Sequence, residues 1–160
     1  VASSAMVVSN LLGDVVTPDQ IKDLYTSDKT NLGGNFASTV FGHYGLDSTT
    51  KRNFSGHDSD GGLIRDNVLE NGGAVIRSKK LYDAYGNEIS DHYVAILDVD
   101  TSTDPKQYYI ADPLSQDPGQ WVSEESKDWQ ELEQSHGTTV YIAPEGMTIE
   151  EAMTKNNQST

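Results

Sequence analysis

The 160-residue chain is expected to fold as one α+β domain, with N-terminal helices packed against a small antiparallel sheet. Three observations predict it. Helix signals come first, in residues 1–13, 17–25 and 36–44, and runs rich in β-branched and aromatic residues follow at 74–78, 91–99, 107–111 and 138–143. The runs 91–99 and 107–111 are separated by Thr101-Ser102-Thr103-Asp104-Pro105, all turn-forming types, which makes them the two strands of a hairpin. The length supports one sizeable core and is short for two, so the domain is expected to span residues 1–154, with 155–160 as a polar tail or linker.

Each element has its own signal. Residues 1–13 are small or apolar all round and end at Gly13, so they read as a mostly buried helix with a glycine stop. Its start has no N-cap residue and no acid in the first turn, although N–H groups there need partners; the natural chain is therefore expected to continue upstream. Thr17-Pro18-Asp19-Gln20 is a helix start, with Pro at the first helical position and Gln20 placed for a capping box. Residues 31–35 form a loop, 36–44 a short helix closed by Gly45-Leu46, and 48–55 a short strand. His57-Asp58-Ser59-Asp60-Gly61-Gly62 alternates oxygen ligands before glycine, but the remaining ligands of a calcium loop do not fall where required. It reads instead as a polar turn in which Asp60 caps a helix over 63–70. Asn71-Gly72-Gly73 ends that helix, 74–78 is a buried strand, and 83–88 is a polar turn. The acidic segment 114–134 is expected to be a loop with one helical stretch around 124–132, before a last strand at 138–143 and a closing helix at 148–154.

Composition excludes several classes of function. Apolar content of 35% with 22% charged residues is ordinary for a folded domain, whereas a formal net charge of −14 repels nucleic acid and anionic membranes. Nucleic acid is therefore not an expected partner. No run approaches the roughly 18 apolar residues of a spanning helix, so direct membrane insertion is not expected either. The chain contains no cysteine, which removes disulfides and thiolate metal sites.

The chemistry concentrates in the hairpin. Antiparallel pairing brings His92, at the start of one strand, and Asp112, at the end of the other, to the same edge of the sheet. A His oriented by an acid is the base half of an acyl-transfer triad, because the acid holds the tautomer and stabilises the imidazolium that forms. The pair lacks a nucleophile.

Six segments in order carry a family resemblance: Ala2-Ser3-Ser4-Ala5-Met6-Val7-Val8-Ser9, Leu12-Gly13-Asp14 leading to Thr17-Pro18, residues 34–46, Asn71-Gly72-Gly73-Ala74-Val75-Ile76, Asp91-His92-Tyr93-Val94 and Ala111-Asp112-Pro113. Together they resemble the papain-like cysteine peptidases of the bacteriocin-processing, double-glycine type, through nearly the whole chain. The resemblance implies a papain-like fold, hydrolysis of peptide or amide bonds in a peptide or protein substrate, no cofactor and no metal. It also implies an extracellular or cell-surface location in a bacterium and a place within a longer chain. In that family the catalytic Cys begins the first helix, in a Cys-Gly-x-Ala-Ser-x-x-Met pattern. Set on residues 1–6, the pattern puts Cys and Gly just before Val1, and the family's oxyanion-hole Gln further upstream. His92 matches the general base and Asp112 the residue that orients it. The chain departs from the family in having no thiol. The nucleophile then precedes Val1, or lies on a separate or cleaved segment, or the domain is a non-enzyme that grips a peptide without cutting it. In the enzyme, the first helix should point its N-terminus at His92, with the Val1 nitrogen near the ring, so that its dipole lowers the thiolate's pKa.

Other residues read as structural. Ser3 and Ser4 lie a turn into the helix, where such residues pack rather than attack. His43 and His136 have no acidic or metal-ligand constellation in the sequence. Asp98, Asp100 and Asp104 read as solvated turn carboxylates, and Trp121, Trp129, Tyr108 and Tyr109 as core or loop anchors.

Overall fold

The structure, a computed structural model, describes residues 2–27, 36–55, 62–114, 119–134 and 136–154. Along them run α1 (Ala2–Leu12), α2 (Pro18–Ser27), α3 (Phe36–His43), β1 (Ser48–Ser55), α4 (Leu63–Glu70), β2 (Ala74–Tyr82), β3 (Glu88–Asp100), β4 (Gln107–Ala111), β5 (Gln120–Ser123), α5 (Lys127–Gln134), β6 (His136–Ile142) and α6 (Ile149–Thr154). The strands form one antiparallel sheet in the order β1-β6-β2-β3-β4-β5, so the expected α+β class is found. The last strand in sequence is inserted between the first two.

Local chemistry sets the helix ends. Gly13 takes φ 75° after α1, a conformation that costs a residue with a Cβ but not glycine. The Thr17 N–H donates to Gln20 Oε1 at 2.7 Å and the Gln20 N–H to Thr17 Oγ1 at 3.3 Å, closing the expected capping box on α2. At α4 the expectation is corrected: the cap position belongs to Gly62 at φ 88°, with no side-chain cap. A Cβ there would collide with the Arg65 guanidinium, so the glycine makes room for a buried cation. Asp60, residues 31–35 and the 155–160 tail lie outside the described residues.

Strand alternation gives the sheet two apolar faces. On one, Ala74, Ile76, Ala95, Ala111, Val140 and Ile142 pack with Val7 and Val8 of α1 and Phe41 of α3. On the other, Val75, Val94, Ile96, Val99, Tyr108 and Tyr141 meet Val68 and Leu69 of α4, Trp129 and Leu132 of α5 and Ala152 of α6. Each fully buried large apolar side chain contributes roughly 1.5–3 kcal/mol over an exposed one, so both helical layers are held by apolar burial.

Two strands run longer than their apolar runs. β2 continues to Tyr82 and β3 begins at Glu88, because they pair across the tight 83–87 turn, where Asp83 Oδ1 accepts the N–H groups of Tyr85 and Asn87 at 2.9 Å each. β5 lies where a loop is expected. Its strand formers, Trp121 and Val122, make too short a run to mark a strand alone, and the segment is held by pairing with β4, including Tyr109 edge-on to Trp121 at 5.3 Å. The helix after it begins at Lys127, so it starts and ends later than the expected stretch. Among the described residues no helix is long and apolar enough to cross a membrane.

Candidate active site

The β3–β4 hairpin builds the site. Ala95 pairs with Ala111 and Ile96 with Ile110, with a bulge beyond them at Leu97. Carried outward, that register sets Asp112 across from Val94, so His92, two residues back, is its diagonal neighbour on the same face. The Nε2 of His92 lies 2.6 Å from Asp112 Oδ1. The two side chains keep 12% and 23% of their surface exposed. An ionised carboxylate can only accept, so Nε2 carries the shared proton and Nδ1 is left with no partner among the described residues.

Asp112 is held at more than one point. Its Oδ1 also accepts the Leu114 N–H at 3.0 Å, a local turn of the kind an aspartate makes just after a strand. Its Oδ2 lies 3.9 Å from Lys79 Nζ. Burial pushes the carboxyl pKa up, but the Leu114 N–H, the His92 hydrogen bond and charge, and the Lys79 charge together hold it below its ordinary value. The side chain is therefore an anion at neutral pH. A groove of about 100 Å³ opens beside it, with apolar Val94, Ile110, Val122 and Leu132 and polar Lys79, Gln120 and Asp128 along its walls.

The first helix reaches the same edge. Ser3 Oγ donates to the carbonyl of Tyr93 at 2.6 Å, which ties the first turn of α1 to the residue next to His92. Ser3 and Ser4 are buried, so neither hydroxyl is open to a substrate. The first turn of α1 carries no acid to offset the partial positive charge of its N–H groups. The expected approach of the Val1 nitrogen to the ring lies outside the described residues.

No family model matches the sequence, and no curated protein matches it. Solved structures do. The peptidase domain of Streptococcus ComA, a bi-functional ABC transporter involved in a quorum-sensing pathway, matches with a TM-score of 0.53 and 14% identity over 90% of this chain and 92% of that one. A putative C39-like peptidase from Bacillus anthracis matches with a TM-score of 0.51 and 15% identity over 90% of this chain and 88% of that one. The chain has a C39-like peptidase fold. At this identity the likeness is one of fold, and at that level the papain-like expectation is met.

Within the C39-like fold the remaining candidates separate plainly. Trp129 is core, stacked on Tyr108 at 3.9 Å with the rings 4° from parallel, whereas Trp121 on edge strand β5 is 46% exposed. His43 is exposed and lies edge-on to Tyr44 at 5.1 Å. Asp98 and Asp100 accept nearby backbone N–H groups, from Val99 and Ser102. Among the described residues no three His, Cys, Asp or Glu side chains gather as metal ligands would. The 57–61 turn and the His136 side chain lie outside those described. Two features escaped sequence reasoning. Lys79 follows the apolar part of β2, and counting back from the 83–87 turn would have set it opposite Asp91; the irregularity between Leu81 and Tyr82 shifts the register by one and brings it opposite His92. The Ser3–Tyr93 bond joins residues 90 apart and leaves no trace in local pattern.

Proposed function

We propose that the domain is a papain-like cysteine peptidase or amidase whose thiolate comes from a cysteine ahead of Val1, with His92 as base and then acid and Asp112 as its orienter. One observation carries the reading: Asp112 occupies His92 Nε2 at 2.6 Å and Nδ1 has no partner among the described residues, at the strand to which Ser3 ties the first turn of α1. The Cys-Gly-x-Ala-Ser-x-x-Met pattern assigns the cysteine to the second position before Val1, one short step from that turn. The α1 dipole and a nearby imidazolium would both favour a thiolate there.

The chemistry follows from these roles. The thiolate attacks the amide carbonyl carbon, and the oxyanion collapses to a thioester as Nδ1–H of His92 gives its proton to the departing amine. Water then attacks the thioester while Nδ1 takes a proton from it. The carboxylate product leaves, and the thiol is regenerated. Asp112 keeps the imidazole upright through both steps and stabilises its charged form. The −14 charge and the fold neighbours suit a peptide or protein substrate better than nucleic acid.

The residues encoded before Val1 test the proposal at once. A cysteine two positions upstream is expected; any other residue there turns the reading to a peptide-gripping module without cleavage. The chain bearing that cysteine should hydrolyse members of a peptide library, lose activity on alkylation, and lose it again in His92→Ala. Activity that survives alkylation would leave no cysteine mechanism to defend.

A further inference from the structure

We infer that Lys79 is a positioning residue of the His92–Asp112 pair, its ammonium charge facing the second oxygen of Asp112 while the first serves His92. The inference deepens the proposed active site and rests on that reading of it. Sequence order hides the arrangement; register makes it. Lys79 on β2 pairs directly with His92 on β3, and alternation puts both side chains on the face that also carries Asp112 beyond β4. The lysine Nζ ends 3.9 Å from Asp112 Oδ2.

The two oxygens of this carboxylate have divided tasks. Oδ1 receives His92 Nε2 at 2.6 Å and the Leu114 N–H at 3.0 Å, both on one side. Among the described residues the ion pair made by Oδ2 is with the Lys79 ammonium. Without it, rotation of the carboxyl group or its protonation would cost little at Oδ2, and either change weakens the hold on His92. Among the described residues the charged groups around Asp112 are His92 from β3, Lys79 from β2 and, across the groove, Asp128 from α5, while β5 adds the neutral Gln120. Lys79 is thus the one permanent cation in the group, and Asp128 pulls the opposite way.

Lys79 keeps 38% of its side chain exposed, so replacing it should leave the fold intact. In the full chain, the titration midpoint of the Asp112 carboxyl carbon is followed by NMR in Lys79→Met, Lys79→Gln and Lys79→Arg. Loss of the charge in the first two variants should raise the midpoint by roughly 0.2 to 0.7 of a pH unit, the range of an exposed ion pair, and Lys79→Arg should restore it. An unchanged midpoint in Lys79→Met and Lys79→Gln overturns the inference, and so does a midpoint that stays raised in Lys79→Arg. The measurement needs no nucleophile. A chain that cleaves nothing would sink the peptidase reading while the Asp112 midpoint still decided the role of Lys79.

Discussion

Two clusters on the same face of the sheet pair a carboxylate with cations, and their surroundings set them apart. Around Arg65, the guanidinium meets Asp66 at 3.1 Å, Glu133 at 2.6 Å and the Tyr108 hydroxyl at 2.9 Å, and lies over the rings of Tyr108 and Trp129. Its side chain is only 5% exposed. Burial acts to lower the Arg65 pKa, but the charges of Tyr108, Asp66 and Glu133 and the Glu133 hydrogen bond outweigh it, and burial raises that of Tyr108. Neither group titrates near neutral pH. Around His92, by contrast, the acid, the imidazole and the lysine all keep some contact with solvent, and one ring nitrogen has no partner among the described residues. A largely buried cluster holds α4, α5 and β4 together, whereas the one around His92 is partly open to solvent. Buried ion pairs mainly punish the loss of one partner, whereas an accessible imidazole can do acid–base work.

The comparison predicts a crossed pattern. The largest effect belongs to His92→Ala in the cysteine-bearing chain, where turnover should fall by about 10²- to 10⁴-fold while the unfolding free energy moves by less than about 1 kcal/mol. Kinetics and urea unfolding on the same preparations check both halves, and a stability loss as large as that at Arg65 would erase the distinction.

Next comes Arg65→Ala. It takes the buried cation from Asp66, which keeps Lys106 at 3.0 Å, and from Glu133, and should cost up to about 3–5 kcal/mol, read from urea midpoints, with the Asp112 titration midpoint unmoved. A shift at Asp112 would show that the two clusters are one network. Tyr108→Phe, which removes the hydroxyl between Arg65 and Asp66 but keeps the ring on Trp129, should cost about 1–2 kcal/mol by the same measurement. A neutral result would place the value of Tyr108 in its ring alone.

The smallest effect is one of pH. Asp112 has a lowered pKa in the folded state, so its contribution to stability is complete above the unfolded aspartate value and fades as pH falls through the folded one. Unfolding free energy measured from about pH 5 down to about pH 2 should therefore drop more steeply in the natural chain than in Asp112→Asn, starting near the unfolded value of about 3.9. Parallel curves would mean that Asp112 is not held by its partners.

Much of the candidate site's geometry is legible in the sequence. The turn residues 101–105, the strand runs on either side and the two-residue period of a strand suffice to bring His92 and Asp112 to one edge, because each is a local property of a short segment. Gly13 and the Thr17–Gln20 box ended and began helices for the same reason. The proposed thiol had no residue to be read from, since the chain contains no cysteine.

Other features were decided only when distant segments met. β6 lies between β1 and β2, and β5 exists because β4 offers it a partner. Gly62 caps α4 because Arg65 needs the space, Ser3 finds the carbonyl of Tyr93, and Lys79 falls opposite His92. Backbone sterics and turn chemistry act over a few residues and are written in composition and spacing. Register, burial and ion pairing depend on which distant surfaces exclude water together, and those surfaces exist only in the folded chain.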